Sequence, residues 1–106
     1  MKIDELVQEL ERAARSGKVR VSYENIGGEL GAGGLCRVKG DWRIIIDKRA
    51  PPGERATVLA AGLARLPTDL WTDIEESLAS EGKPLHREAV ALVERSRPRS
   101  GPRPAA

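Results

Sequence analysis

The chain predicts an α+β domain: an N-terminal helix, a small three-stranded antiparallel sheet, then three helices packed on the sheet. Three observations carry this. Apolar residues recur at helical spacing near the start of the chain and again after Pro52. Between them, residues 18–23 and 35–39 alternate polar and apolar side chains at the period of strands, and residues 42–47 form a β-branched run. The links between these stretches are short and rich in glycine or proline. With 106 residues there is room for one domain, placed at residues 1–96, followed by a mobile basic tail of prolines and arginines at residues 97–106. Phe is absent, Tyr occurs once and Trp twice, so the core has to be built from Leu, Ile, Val and Ala.

The first helix follows from Ile3, Leu6, Val7, Leu10, Ala13 and Ala14, which share one stripe opposite Asp4, Glu5, Glu9, Glu11 and Arg12. Gly17 is expected to end it in the left-handed conformation. Lys18-Val19-Arg20-Val21-Ser22-Tyr23 reads as the first strand. Residues 25–34 contain five glycines, Gly27, Gly28, Gly31, Gly33 and Gly34, and read as a loop. Residues 35–39 and 42–47 then form a hairpin about a Gly40-Asp41 turn. The run Ile44-Ile45-Ile46 places the second of these strands at the centre of the sheet or under cover on both faces. Pro51 and Pro52 open a helix carrying Val58 or Leu59, then Leu63 and Leu66, on one stripe. Thr68 is expected to cap the next helix, whose stripe is Leu70, Trp71, Ile74 and Leu78 and whose stop is Gly82. The last helix begins near Pro84 and turns Leu85, Ala89, Leu92 and Val93 inward.

Charge is unevenly placed. Residues 1–82 carry 12 Lys and Arg against 14 Asp and Glu, a net −2, whereas residues 83–106 carry 6 against 2, a net +4. An acidic body argues against the broad positive field of a duplex-binding domain. A nucleic-acid role would therefore fall to Lys83, Arg87, Arg95, Arg97, Arg99 and Arg103, through phosphate contacts. No apolar run is long enough to cross a membrane, and no secretory leader pattern opens the chain, so a reducing, cytoplasmic setting is expected.

Chemistry-bearing patterns are sparse. The glycine stretch matches neither G-x-G-x-x-G nor G-x-x-x-x-G-K-[ST] and precedes a strand where both motifs need a helix. One Cys and one His preclude a disulfide framework and a Cys/His zinc site within a single chain. Cys36 on a strand has the character of a small apolar residue; as a nucleophile it would need His86, the only imidazole, as its base. His86 alone fits a surface or capping role. Asp69, Asp73, Glu75 and Glu76 form an acidic helix face of the solvated kind, and Trp42 and Trp71 fit core packing.

From Gly34 to Leu66 the chain resembles the ImmA/IrrE-type metallopeptidases. That family runs from a hairpin ending in an I-V-V-N-like segment, through an L-P-P-E-R-x-x-F-T-like link, into a helix bearing H-E-x-x-H. Here the corresponding residues are Trp42-Arg43-Ile44-Ile45-Ile46-Asp47, then Ala50-Pro51-Pro52-Gly53-Glu54-Arg55, then a helix with Ala60 and Ala64 in place of the zinc histidines and Ala61 in place of the glutamate. The resemblance implies a zincin-like scaffold without its metal site, unable to hydrolyse peptides by that route. The expectation is a non-catalytic protein, without cofactor or metal, that acts through contacts with a protein partner or a second copy of itself. Gly27, Gly28, Gly31, Gly33, Gly34, Trp42, Arg95, Arg97 and Arg99 are the candidate contact residues, and a nucleic-acid-associated regulator is the alternative.

Overall fold

A computed structural model of the protein describes residues 1–26 and 33–98. In chain order the elements are α1 (Ile3–Ser16), β1 (Arg20–Glu24), β2 (Gly33–Val38), β3 (Asp41–Asp47), α2 (Pro52–Ala64), α3 (Thr68–Ser80) and α4 (Arg87–Arg95). The α+β class and the element order are those the sequence predicts. The candidate residues Gly27, Gly28, Gly31 and Arg99 lie outside the described residues.

The sheet is mixed, not antiparallel throughout. Its order is β1-β3-β2, with β1 parallel to β3 and β2 antiparallel to it. The expected meander fails: β1 and β2 are not neighbours but stand two strand spacings apart, roughly 10 Å. β3 then returns between the other two. Its three isoleucines explain why it takes the centre, where both sides of the backbone ladder are satisfied. Ile44 and Ile46 are fully buried toward the helices, while Ile45 faces outward and is half-buried.

Two turns differ in register from the expectation. Val38 pairs with Asp41, so the two hairpin residues are Lys39 and Gly40, both with positive φ (51° and 85°), as a tight turn between twisted strands requires. At the end of α1 the left-handed residue is Lys18 (φ 60°), not Gly17. The Val19 N–H donates to the Ala14 carbonyl at 2.8 Å across this turn. Gly17 is needed for space instead: a Cβ there would stand 2.5 Å from Cδ1 of Ile74. β2 also begins earlier than expected, at Gly33, whose φ of 132° and close approach to the Ile45 carbonyl exclude a side chain.

α1 and α2 cover one face of the sheet, and α3 and α4 form an outer layer on α1 and α2. α2 starts at Pro52, with Arg55 donating to the carbonyls of Ala50 (2.8 Å) and Lys48 (3.2 Å), which fixes the helix to the end of β3. α3 has Pro67, not Thr68, at its cap. Gly82, at φ 79°, ends α3, and the Lys83 N–H reaches the Leu78 carbonyl at 3.0 Å. α4 starts at Arg87, one turn later than expected, because Arg12 donates to the carbonyls of Lys83 (2.8 Å) and Pro84 (3.1 Å) and holds those residues as an extended link. Glu9 completes the clamp. It pairs with Arg12 at 2.8 Å and accepts the His86 N–H at 2.8 Å, and the Arg12 hydrogen bond holds its carboxyl below the usual range.

The helix layer meets the sheet closely where α2 crosses β3. A Cβ on Gly62 would lie 2.9 Å from Cδ1 and 3.0 Å from Cγ1 of Ile44, itself fully enclosed. Gly62→Val should therefore destabilise the protein by about 2–3 kcal/mol, the cost of overpacking a filled core, although glycine is itself a poor helix former. Urea unfolding followed by circular dichroism would read this; an unchanged midpoint would show that the contact can relax.

Candidate functional site

β1 is an edge strand, and its pairing fixes which backbone groups are free. Glu24 accepts the Lys48 N–H at 2.9 Å on the β3 side. In a parallel ladder the N–H and C=O of one residue face the same neighbour and alternate along the strand. Arg20, Ser22 and Glu24 therefore turn their backbone groups to β3, and Val21 and Tyr23 turn theirs away. No hydrogen bond within the described residues occupies the outward groups of Val21 and Tyr23.

Along this edge runs a groove of about 760 Å³ between β1 and α1. Four cations line it, Arg15, Lys18, Arg20 and Arg43, against one carboxylate, Glu11. None of the four forms an ion pair among the described residues. Arg20 and Arg43 stand directly opposite each other on the outward face, an arrangement that like charges disfavour. The Arg43 Nε is enclosed without a hydrogen-bond acceptor. Glu11, by contrast, is engaged: the Tyr23 hydroxyl donates to it. The Arg55 guanidinium lies 5.0 Å from the centre of the Tyr23 ring, so this tyrosine ties β1 to both α1 and α2.

The residues singled out from the sequence do not assemble into one site. Gly33 and Gly34 are strand residues beside Cys36 and Ile45. Trp42 is half-buried against the core with the Arg37 guanidinium 4.8 Å over its ring, so the ring is largely committed. Arg95 is exposed on the last turn of α4. Arg97, expected in a mobile tail, is folded onto α4 by its pair with Glu94 at 2.7 Å. Lys83 and Arg87 lie at the opposite end of α4 from Arg95 and Arg97, with Glu88 and Glu94 among them, so no continuous basic face forms there. Cys36 and His86 occupy different layers: the thiol is on β2, and His86 caps α4, its Nδ1 accepting the Glu88 N–H at 3.0 Å. No group of three or more His, Cys, Asp or Glu among the described residues is placed to hold a metal ion. Ala60 and Ala64 are buried in the core, and Ala61 is partly buried.

The groove cations were missed because the charge was summed over 82 residues. The local signal was present as Arg15-Ser16-Gly17-Lys18-Val19-Arg20, three cations in six residues. Arg43 is brought to them by strand pairing alone.

Comparisons with family models, with curated proteins and with solved structures find nothing that matches this chain. No helix among the described residues is long and apolar enough to cross a membrane.

Burial first, and the facing Glu11 second, push the Tyr23 phenol up to about 12. The unfolded chain ionises near pH 10, so this contribution to stability is complete below about pH 10 and is lost as pH rises toward the folded value. Tyr23 is the only tyrosine, so phenolate absorbance reads it directly. The native midpoint should lie near pH 12, and Glu11→Gln should move it part of the way toward 10, since burial remains. A native midpoint at pH 10 would mean that neither the burial of the ring nor the Glu11 contact holds.

Proposed function

We propose that the protein is a non-catalytic module that binds another protein chain by accepting it as an added strand at the free edge of β1. The observation that carries this reading is the outward backbone of Val21 and Tyr23, which has no partner among the described residues and faces a groove wide enough for an extended segment. Such edges are costly to leave open, because they pair indiscriminately unless shielded. Here α1 walls one side and cations flank the strand, so the edge is accessible and selective at once.

Two further features support a scaffold without catalysis. The positions that would hold the zinc ligands in a zincin-like helix are Ala60 and Ala64, whose methyl groups pack in the core. The single thiol and the single imidazole belong to separate layers. A cytoplasmic setting, where Cys36 stays reduced, accords with this reading.

Val21→Pro is the direct test. Proline removes the outward N–H while leaving the ladder to β3 intact, and Arg20, the residue before it, is already extended as proline demands. Circular dichroism of this variant should match the native protein. Tagged native protein should retain a nuclease-resistant set of partners from its own lysate that Val21→Pro loses; identical capture by both would rule the edge out as the binding element.

A further inference from the structure

The groove beside β1 also specifies the chemistry of what it holds. We propose that its occupant is an acidic, extended peptide segment whose carboxylates neutralise Arg15, Lys18, Arg20 and Arg43. The proposal rests on strand addition at β1 and adds the class of ligand to it.

Three observations point to negative charge. The first is the imbalance already described, with four unpaired cations and a sole carboxylate that is occupied by Tyr23. The second is the Arg20 and Arg43 pair. Side by side across the ladder they repel, and the Arg43 Nε is withdrawn from water without an acceptor, so a carboxylate between the two guanidinium groups relieves both penalties. The third is Lys18. Its left-handed backbone is a position where glycine would be relaxed, yet a side chain is carried there, and it is a cation on the groove.

The geometry favours a peptide over a nucleic-acid strand. A peptide backbone matches the donor and acceptor row of Val21 and Tyr23 atom for atom, whereas a phosphodiester offers acceptors only. Single-stranded nucleic acid also needs open aromatic faces for stacking, and the one aromatic ring of the groove, Tyr23, is half-buried beneath Arg55. Side chains of an added strand alternate between faces. Arg15 approaches from α1 on the helix-covered side, and Arg20 and Arg43 from the outward side, so acidic residues at successive positions find cations on both.

The test uses the full chain and four fluorescent probes: a capped peptide of glutamate, threonine and valine, its glutamine counterpart, its lysine counterpart, and oligothymidylate. At low salt the glutamate peptide should bind at least about tenfold more tightly than the glutamine one, the size expected for one charge-assisted contact. The lysine peptide should not bind. Lys18→Gly and Arg20→Gln should each weaken the glutamate peptide by about tenfold, while thermal unfolding shows Lys18→Gly as stable as the native protein or more so. Val21→Pro, which changes no charge, should abolish binding. Equal binding of the glutamate and glutamine peptides overturns the acidic class and leaves strand addition standing. Glutamate-peptide binding that survives Val21→Pro reduces the groove to a charged surface and overturns both readings. Retention of oligothymidylate with no peptide bound overturns both in favour of nucleic acid, and failure of every probe to bind overturns the acidic class, capture by the native protein against Val21→Pro then deciding the edge.

Discussion

The close approach of α2 to β3, where Ile44 seats against Gly62, is the constraint on which the rest of the structure depends. It brings the helix backbone nearer to the sheet than any side chain on that residue would permit, and both Ile44 and Ile46 are sealed beneath it. α1 lies beside α2 over β1, and the outer helices rest on these two. Aliphatic residues with little aromatic bulk suit this arrangement, since small side chains let layers approach and recover by dispersion what they lack in area. Trp71, the largest buried side chain, sits in the outer layer on α3.

One consequence is that the opposite face of the sheet, with both of its edges, is left to other means of protection. β2 is short of apolar side chains, with Gly33, Gly34, Cys36 and Arg37, and is held by its hairpin to β3. β1 is held on one side only, and it carries its charge where a partner strand would lie. Cations beside an edge suit a partner strand of opposite sign. Tyr23 contributes differently: by tying β1 to Glu11 on α1 and to Arg55 on α2, it keeps the edge strand rigid and its backbone presented at a fixed height.

Much of the fold was legible because its signals are local. The α1 stripe, the isoleucine run, the proline pair before α2 and the glycine after α3 each act within a few residues, and all four mark elements where they were expected. The errors share a cause. Gly17 was read through its freedom of rotation, yet it is retained for proximity to Ile74, and Lys18 and Lys39 take up positive φ that the sequence does not advertise. The start of α4 was misplaced because Arg12, 71 residues from Lys83, holds the link open. Of the candidate site little was legible, since a groove between a strand edge and a helix is made by neighbours in space.

By itself the sequence determined which segments are helix and strand and that the core is aliphatic, and it placed β3 at the centre or under cover on both faces. Tertiary structure alone decided that β1 runs parallel to β3, that β1 and β2 are the edges of the sheet, and that Arg43 joins Arg15, Lys18 and Arg20. The physical reason is the range of the forces involved. Periodicity and backbone preference act over one or two turns of chain, whereas strand order is chosen by which arrangement buries Ile44 and Ile46 most completely, a property of the whole packed chain.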